Sequence, residues 1–277
     1  MKSKSNDSHN SDVRSHFGLH AMPFTREFAI HQRWRHPLLE EAVAELKATV
    51  EQRMSGALLS VSGNGKTVVL RALSDSLPEA RYRVHYLKVT DLSKRDFCKQ
   101  LASALGCAPA GCYGSLVNTV QSRCQSLMDE DSLRPVLIID EAQDFRVDVL
   151  AIMRILTNFE MDSRLIISVI LAGQARLRAL LKHSELEAVS SRIAQYCSLR
   201  LFSRDEIRQY VGHRAEIAGA KTQLFDNAAL DALYECAQGN LRATDRLALK
   251  SLELVAAERC AVTGAEHVAK ARTKVFA

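Results

Sequence analysis

Residues 60–70 read SVSGNGKTVVL and have the residue types of a phosphate-binding loop. The consensus of such a loop is G-x-x-x-x-G-K-[ST], and Ser60 stands where the first glycine is expected. Backbone N–H groups of the loop and the N-terminus of the following helix bind phosphates. We expect Lys66 to reach the β- and γ-phosphates and Thr67 to ligate Mg²⁺. The predicted nucleotide-binding residues of the loop are Ser62, Gly63, Asn64, Gly65, Lys66, Thr67 and Val68.

Two acidic residues end a second apolar stretch, PVLIIDEAQDF at 135–145. In enzymes with such a loop, an acid at the end of a neighbouring strand holds Mg²⁺, and a further group activates the attacking water. We therefore predict Asp140 as a metal-side ligand, Glu141 as a catalytic residue, and ATP with Mg²⁺ as cofactors. The alternative is an acid pair that only caps the next helix.

Sequence patterns typical of strands and of helices alternate through the first two thirds of the chain. The elements that they predict must bring the loop and the acid pair together. Because the strands are apolar on both faces, they predict an α/β fold with a parallel sheet covered by helices on both sides. Apolar spacing predicts helices over 36–56, 66–77, 93–106, 115–131 and 145–160. Apolar runs predict strands over 57–62, 81–90, 135–140 and 164–173.

The pattern becomes purely helical from residue 203 onward. Helices are predicted over 203–219, 226–240 and 242–260, with Ser203 and Asp226 as N-caps. The polar N-terminus, rich in Ser, Asn and Lys, is typical of disorder. The predicted domains are a disordered basic tail at 1–15, a nucleotide-binding α/β domain at 16–202 and a helical domain at 203–277.

The formal net charge is +5, and the basic excess lies at the two ends of the chain. Residues 1–36 hold six Lys or Arg against three acids, and residues 242–277 hold seven against four. Basic ends on a near-neutral body suit contact with a polyanion such as DNA. The charge distribution supports an alternative equally well, in which the basic residues only form a solvated tail and a solvated helix face.

The number and spacing of the cysteines, together with the hydropathy, indicate the cellular compartment of the protein. The seven cysteines are odd in number and without a C-x-x-C pair, which indicates reduced thiols rather than a zinc site or a disulfide framework. No apolar run approaches the roughly 20 residues that span a bilayer, and the N-terminus lacks the apolar core of a signal peptide. We therefore expect a cytoplasmic protein that makes no membrane contact.

The ordered motifs SGNGKT, LIIDEAQ, VILAGQ and GNLRATDRLAL resemble the motif series of AAA+ ATPases. The resemblance implies a P-loop core with a five-stranded parallel sheet, followed by a small helical lid. It assigns Gln174 to the sensor-1 position, where it would position the water or contact the γ-phosphate. Arg192 resembles the arginine that precedes the fifth strand and reaches the ATP of a neighbouring subunit, and Arg242 matches sensor 2.

Each of these assignments has an alternative. Gln174 is otherwise a plain loop residue, with Asn158 as a rival sensor that we place on a helix. Arg242 is otherwise a helix cap. The rival candidates for the arginine that acts on the neighbouring subunit are Arg176, Arg178 and Arg200.

A narrower resemblance rests on HFGLHAMPF, DEAQDF, ILTNFEMDSRLIISVILAGQ, SRDEIRQYVGHRAEIAGA and GNLRATDRLALKSL, spread over residues 16–272. Together they resemble transposon-encoded ATPases of the TniB, TnsC, IstB and MuB kind, and the ExeA-like ATPases. The resemblance implies that the segment around Phe24 and His36 packs near the adenine. For Phe24, the alternative is an anchor in a hydrophobic core.

The function expected from this resemblance is an ATP-dependent, DNA-binding ATPase that oligomerises on duplex DNA as a transposition helper. Its expected partners are non-specific duplex DNA, copies of itself in a ring or filament, and a transposase. DNA contacts are expected from residues on helices that would line a central channel, namely Lys94, Arg95, Lys99 and Arg123.

Two other functions remain open. An ExeA-like secretion ATPase would normally bring a membrane span and a wall-binding module, and this sequence has neither. A signalling or defence ATPase would switch a protein interaction without DNA. A small-molecule kinase is disfavoured because a helical lid with an intersubunit arginine indicates assembly.

Overall fold

The computed structural model describes residues 13–88, 92–160 and 164–276. The chain divides into two compact units. The α/β unit is His36–Leu199, and the helical unit combines the chain before residue 36 with Arg200–Ala277. The division after Leu199 lies close to the predicted boundary at residue 202, but residues 16–35, predicted for the α/β domain, lie in the helical unit.

The α/β unit contains a five-stranded parallel sheet, as predicted. Its strands are β1 Ser55–Ser60, β2 Tyr82–Lys88, β3 Arg134–Asp140, β4 Ser168–Gly173 and β5 Ile193–Leu199. Their order across the sheet is β2-β3-β4-β1-β5. Every residue of β4 is buried, and β3 is buried after its first residue, because helices cover both faces.

The helices of the α/β unit follow the strands in alternation. They are α1 Pro37–Glu51, α2 Lys66–Ser76, α3 Lys94–Ala104, α4 Tyr113–Asp129, α5 Val147–Leu150, α6 Ile152–Leu156, α7 Ala175–Leu180 and α8 Glu187–Ser190. Short 3₁₀ turns lie at Ala142–Asp144 and Ser184–Leu186. The predicted α/β fold is thereby confirmed, and three of the five predicted helices match within a few residues.

The predicted helix over 36–56 is too long at its C-terminal end. The helix ends at Glu51, and Gly56 lies in β1 rather than acting as the stop. Arg53 takes the left-handed conformation instead, with φ of 61°, and Met54 N donates to Thr49 O at 2.9 Å. Such a bond closes a helix C-terminus in the way that a glycine cap does.

The single helix predicted over 145–160 is also wrong. Phe145 and Arg146 are extended, and the helical part is divided into α5 and α6 at Ala151. The apolar spacing is helical over this stretch, but Phe145 packs edge to face against Phe97 of α3, with ring centroids 5.7 Å apart. The strand predicted from 164 begins at Ser168.

The helical unit contains α9 Arg204–Ile217, α10 Asn227–Ala237, α11 Leu241–Glu258 and α12 Ala265–Val275. Ser203 and Asp226 cap α9 and α10 as predicted, through bonds from Glu206 N and Ala229 N. The fourth helix, α12, was not predicted. Residues 13–17 are helical, so the predicted tail does not remain disordered to residue 15, and residues 1–12 lie outside the described residues.

Aromatic packing explains why the segment before residue 36 belongs to the helical unit. The Trp34 ring lies 5.3 Å from the rings of both Phe202 and Tyr210. His213 Nε2 bonds to Gln32 O at 2.9 Å. These contacts join residues far apart in sequence, so local patterns did not predict them.

A buried polar network lies inside the helical unit. Tyr210 donates its hydroxyl to Asp245 Oδ1 at 2.8 Å, and Arg214 Nη1 donates to the Tyr210 oxygen at 3.2 Å. Burial raises the pKa of the Asp245 carboxyl to about 6, although the positive charge of Arg214 acts in the opposite direction. The network joins α9 to α11 within this unit.

Across the described ranges, every helix is too short or too polar to span a bilayer.

Candidate nucleotide-binding site

The carboxyl ends of β1, β3 and β4 lie side by side because the strand order places β4 between β3 and β1. Ser60 ends β1, Asp140 ends β3 and Gly173 ends β4. Open parallel sheets bind ligands in the crevice beyond their carboxyl ends, where the strand order reverses. The predicted loop and the acid pair therefore meet at one edge of the sheet, and Gln174 directly follows β4 there.

The loop between β1 and α2 has the geometry of a phosphate-binding turn. Gly63 and Gly65 have φ of 79° and 96°, a region that favours glycine, and α2 begins at Lys66. Lys66 is 5% exposed and its Nζ donates to Ser60 O at 3.1 Å and Val61 O at 3.2 Å. Of the other predicted loop residues, Asn64 is buried, Ser62 and Thr67 are exposed, and Val68 is intermediate.

Ser60, the departure from the loop consensus, has a structural role. Its Oγ donates to Leu199 O, the last residue of β5, at 3.2 Å in the buried sheet. Glycine at this position would lack that bond. The serine therefore adds a side-chain link between the neighbouring strands β1 and β5.

Tyr86 holds Asp140 at the end of β3. Its hydroxyl donates to Asp140 Oδ2 at 2.8 Å, while the other oxygen, Oδ1, accepts from Glu141 N at 2.9 Å. Burial and the bond to the Asp140 carboxylate raise the pKa of Tyr86 well above its usual value. Tyr86 was not predicted as a site residue, because its partner, Asp140, is on the neighbouring strand.

Glu141 directly follows β3, and both the charge of Lys66 and a bond from Gln174 act on its carboxyl. It has φ of 54°, and its Oε2 accepts from Gln143 Nε2 at 2.9 Å. Burial alone would raise its pKa, but the Gln143 bond, the charges of Lys66 and Lys88 and a bond from Gln174 together lower it. The carboxyl is therefore held as a carboxylate, the form in which it can orient or deprotonate water.

Gln143 is the second residue of this site that sequence analysis missed. It is buried, and its Oε1 accepts from Gln174 N at 2.9 Å. The signal was present in DEAQ, where a polar residue follows the acid pair. The apolar run before it, however, indicated only a strand and its terminal acids.

Arg192 lies at the amino ends of the strands, opposite the end of the sheet where the loop and the acid pair meet. It precedes β5, whose first residue, Ile193, pairs with Ser55 at the amino end of β1. A strand of this length spans roughly 20 Å, so the length of β1 separates Arg192 from the loop at Ser60. Arg192 Nη1 donates to Ala188 O at 2.5 Å. An arginine so placed is remote from the phosphate site of its own chain.

The rival arginines lie elsewhere. Arg176 and Arg178 are exposed on α7, beyond the carboxyl end of β4, and Arg178 lies over the Tyr196 ring at 5.9 Å. Arg200 makes two bonds of 2.8 Å with Glu206 in the helical unit. The rival sensor Asn158 was wrongly placed on a helix, since α6 ends at Leu156 and Asn158 lies in the connection that follows.

Two predicted site residues belong to the helical unit. Phe24 is 3% exposed and packs edge to face on Phe225, with ring centroids 5.9 Å apart. This packing matches the alternative of a core anchor, and its role toward adenine stays a prediction. Arg242 is exposed in the first turn of α11. His36, in the α/β unit, caps α1 by accepting from Leu38 N at 3.2 Å.

The predicted DNA-contact residues lie on α3 and α4, and three of them bond within the unit. Lys94 lies 3.8 Å from Asp148, and Arg123 lies 3.6 Å from Asp131. Arg95 donates to Gly111 O at 3.0 Å. Lys99 is half-buried on α3. The two ion pairs are exposed or partly exposed, so they add little stability.

Three potential metal ligands gather in the helical unit, where the cysteine spacing predicted none. The ligand atoms of Glu258, Cys260 and His267 lie within 4.8 Å of one another. Glu258 accepts from Lys270 Nζ at 2.9 Å, and His267 Nδ1 accepts from Gly264 N at 3.0 Å, as a cap of α12. These bonds give Glu258 and His267 a structural role, and the adjacent ammonium group opposes a cation.

Comparisons with known proteins agree with this architecture. A family model described as AAA domain matches residues 49–181. The General secretion pathway protein A of Aeromonas hydrophila is 28% identical over 229 residues, which cover 80% of this chain. The chain spans 41% of the length of that relative.

Solved structures share the fold at low sequence identity. Cdc6p from Pyrobaculum aerophilum has a TM-score of 0.71 and 19% identity, over 91% of this chain and 70% of that one. The Aeropyrum pernix ORC1 protein in complex with DNA has a TM-score of 0.66 and 17% identity, over 88% and 67%. The Thermotoga maritima RuvB Holliday junction branch migration motor has a TM-score of 0.57 and 18% identity, over 85% and 66%. The chain therefore shares the fold of AAA+ P-loop proteins.

Proposed function

We propose that this protein is a Mg²⁺-dependent ATPase whose catalytic site is completed by a second copy of the chain. The observation that carries the proposal is a placement at opposite ends of the strands. Lys66, Asp140 and Glu141 lie at the carboxyl ends, and Arg192 lies at the amino ends. In assigned roles, Lys66 and the loop amides bind the phosphates, and Thr67 and Asp140 hold Mg²⁺. Glu141 activates the water, and Gln174 positions it against the γ-phosphate.

The proposed biological role is that of a transposition helper, which assembles on duplex DNA in its ATP state and recruits or activates a transposase. Two features support it: the basic residues on α3 and α4, and the fold shared with the ORC1 protein that was solved in complex with DNA. ATP would order the interface between copies, and hydrolysis would loosen it.

Fluorescence anisotropy of a labelled duplex DNA tests this role. We expect binding in ATP that weakens in ADP or without nucleotide, and that falls steeply between two salt concentrations because phosphate contacts release counterions. In Lys66→Ala, DNA binding is expected to be no stronger in ATP than without nucleotide. The matched control, Lys47→Ala, changes a lysine of α1 and should bind like the wild type. No binding in any nucleotide state would remove DNA from the proposal.

A second candidate is a secretion-associated ATPase, which the relative named General secretion pathway protein A favours. Under this alternative, the nucleotide cycle acts on a protein partner. The two candidates differ in whether duplex DNA matters for turnover. ATP hydrolysis that is unchanged by DNA, together with no DNA binding, would favour the secretion candidate.

Tyr86 offers a test of the proposed Mg²⁺ site. Tyr86→Phe removes the hydroxyl that orients Asp140, and loss of such an outer partner weakens metal binding about tenfold or more. We expect the Mg²⁺ concentration for half-maximal hydrolysis to rise by about that factor. Tyr196→Phe, on the edge strand β5, is the matched control. An unchanged Mg²⁺ requirement would exclude this role of Tyr86.

A further inference from the structure

The side-chain amide of Gln143 lies between two residues of the site, Glu141 and Gln174, that follow different strands. Its Nε2 donates to Glu141 Oε2 at 2.9 Å, and its Oε1 accepts from Gln174 N at 2.9 Å. Gln143 is 5% exposed, so water competes little for either bond. One planar amide therefore joins the segment after β3 to the end of β4.

Gly173, the last residue of β4, leaves the space that this amide occupies. A Cβ atom at residue 173 would lie 2.5 Å from Gln143 Oε1 and 2.9 Å from Leu177 Cδ2. Contacts this short do not occur between relaxed groups, so any side chain at this position would displace the amide or Leu177. The close approach of Gln143 to β4 thus depends on glycine at the strand end.

Glu141 needs outside support for its conformation. Its φ of 54° and ψ of 38° lie in the left-handed region, which is unfavourable for residues other than glycine. Asp140 Oδ1 holds its backbone N–H, and Gln143 holds its carboxylate. These two bonds hold the backbone N–H and the carboxylate of Glu141 in the observed orientation.

We propose that Gln143 is a positioning residue that fixes the Glu141 carboxylate and the Gln174 backbone in a single arrangement. The inference rests on the proposed ATPase function and deepens it. An amide suits the position because it donates at one end and accepts at the other. A carboxylate cannot donate to Glu141, and an apolar side chain can do neither.

Two substitutions separate the two ends of the amide. Gln143→Met removes both bonds with little change in side-chain length. Gln143→Glu keeps an acceptor for Gln174 N but places a second carboxylate against Glu141. Gln100→Met, at an exposed glutamine of α3, is the matched control.

Hydrogen exchange at the Gln174 amide, measured by NMR without nucleotide, tests the bridge independently of catalysis. We expect exchange to be about tenfold faster in Gln143→Met, since one hydrogen bond of ordinary strength is lost. Exchange in Gln143→Glu and Gln100→Met should stay near that of the wild type. Unchanged exchange in Gln143→Met would overturn the bridge itself.

Steady-state hydrolysis tests the positioning. Displacing a catalytic group by about 1 Å costs on the order of a hundredfold in rate. We expect kcat to fall by about that factor in Gln143→Met and Gln143→Glu, with the KM for ATP unchanged. Gly173→Ala should cause a comparable loss, and the double variant Gln143→Met with Gly173→Ala should lose no more than either alone.

The two readouts distinguish the failure of this inference from that of the proposed function. A wild-type kcat in Gln143→Met would overturn the positioning role, and so would full additivity with Gly173→Ala. If the wild-type chain does not hydrolyse ATP, the proposed function fails and the positioning role fails with it. Exchange at Gln174 still decides whether the bridge exists.

Discussion

Arg192→Ala is expected to lower ATP hydrolysis about a thousandfold, the low end of the effect of removing an arginine that stabilises phosphoryl transfer. ATP binding by the single chain should be unchanged. The reason is that Arg192 precedes β5 at the amino ends of the strands, whereas the predicted phosphate loop follows β1 at their carboxyl ends. We therefore expect the arginine to act on the site of another copy rather than on that of its own chain.

Mixing two inactive variants tests this arrangement directly. Arg192→Ala has an intact loop and acid pair, and Glu141→Gln has an intact Arg192. If the arginine acts between copies, some interfaces in the mixture join both intact halves, and hydrolysis reappears in proportion to them. Arg178→Ala, at an exposed arginine over the Tyr196 ring, is the matched control and should hydrolyse ATP normally. A mixture as inactive as its components would contradict the intersubunit role.

Glu141→Gln is expected to lower hydrolysis by about two to three orders of magnitude while ATP stays bound, because an amide cannot accept the proton of the attacking water. Lys66 and the loop backbone are untouched, so affinity for ATP should remain. Nucleotide recovered from the protein after one turnover time should be ATP rather than ADP. The ATP-dependent assembly should then persist instead of decaying.

Asp144→Asn is the control for Glu141→Gln, because it neutralises an exposed acid of the same segment. It should hydrolyse ATP like the wild type. Normal hydrolysis by Glu141→Gln would exclude Glu141 as the group that activates water, and a loss of ATP binding would indicate that the carboxylate instead supports the loop.

The elements that bear the loop and the acid pair were predictable because their signals are local. The apolar runs at 57–62, 135–140 and 164–173 predicted three buried strands, and the structure has them at Ser55–Ser60, Arg134–Asp140 and Ser168–Gly173. Parallel strands place their carboxyl ends at the same end of the sheet. The resemblance in the ordered motifs supplied the fifth strand, before which Arg192 was correctly placed.

What was missed depends on contacts between residues distant in sequence. Gln143 bonds to a backbone amide 31 residues away, and Tyr86 bonds to a carboxylate 54 residues away. Neither pairing leaves a periodic signal. The segment before residue 36 was assigned to the wrong unit for the same reason, since Trp34 packs on Phe202 and Tyr210 of the C-terminal region.

The Ser60 hydroxyl has a mechanical consequence. It ties the first residue of the phosphate loop to Leu199 O, and the chain enters the helical unit at the next residue, Arg200. A side-chain bond therefore joins the residue at the start of the loop to the last residue before that junction, in addition to the pairing of β1 with β5. The departure from the glycine consensus therefore gives the end of β1, where the predicted phosphate loop begins, a side-chain bond to the last residue of the α/β unit.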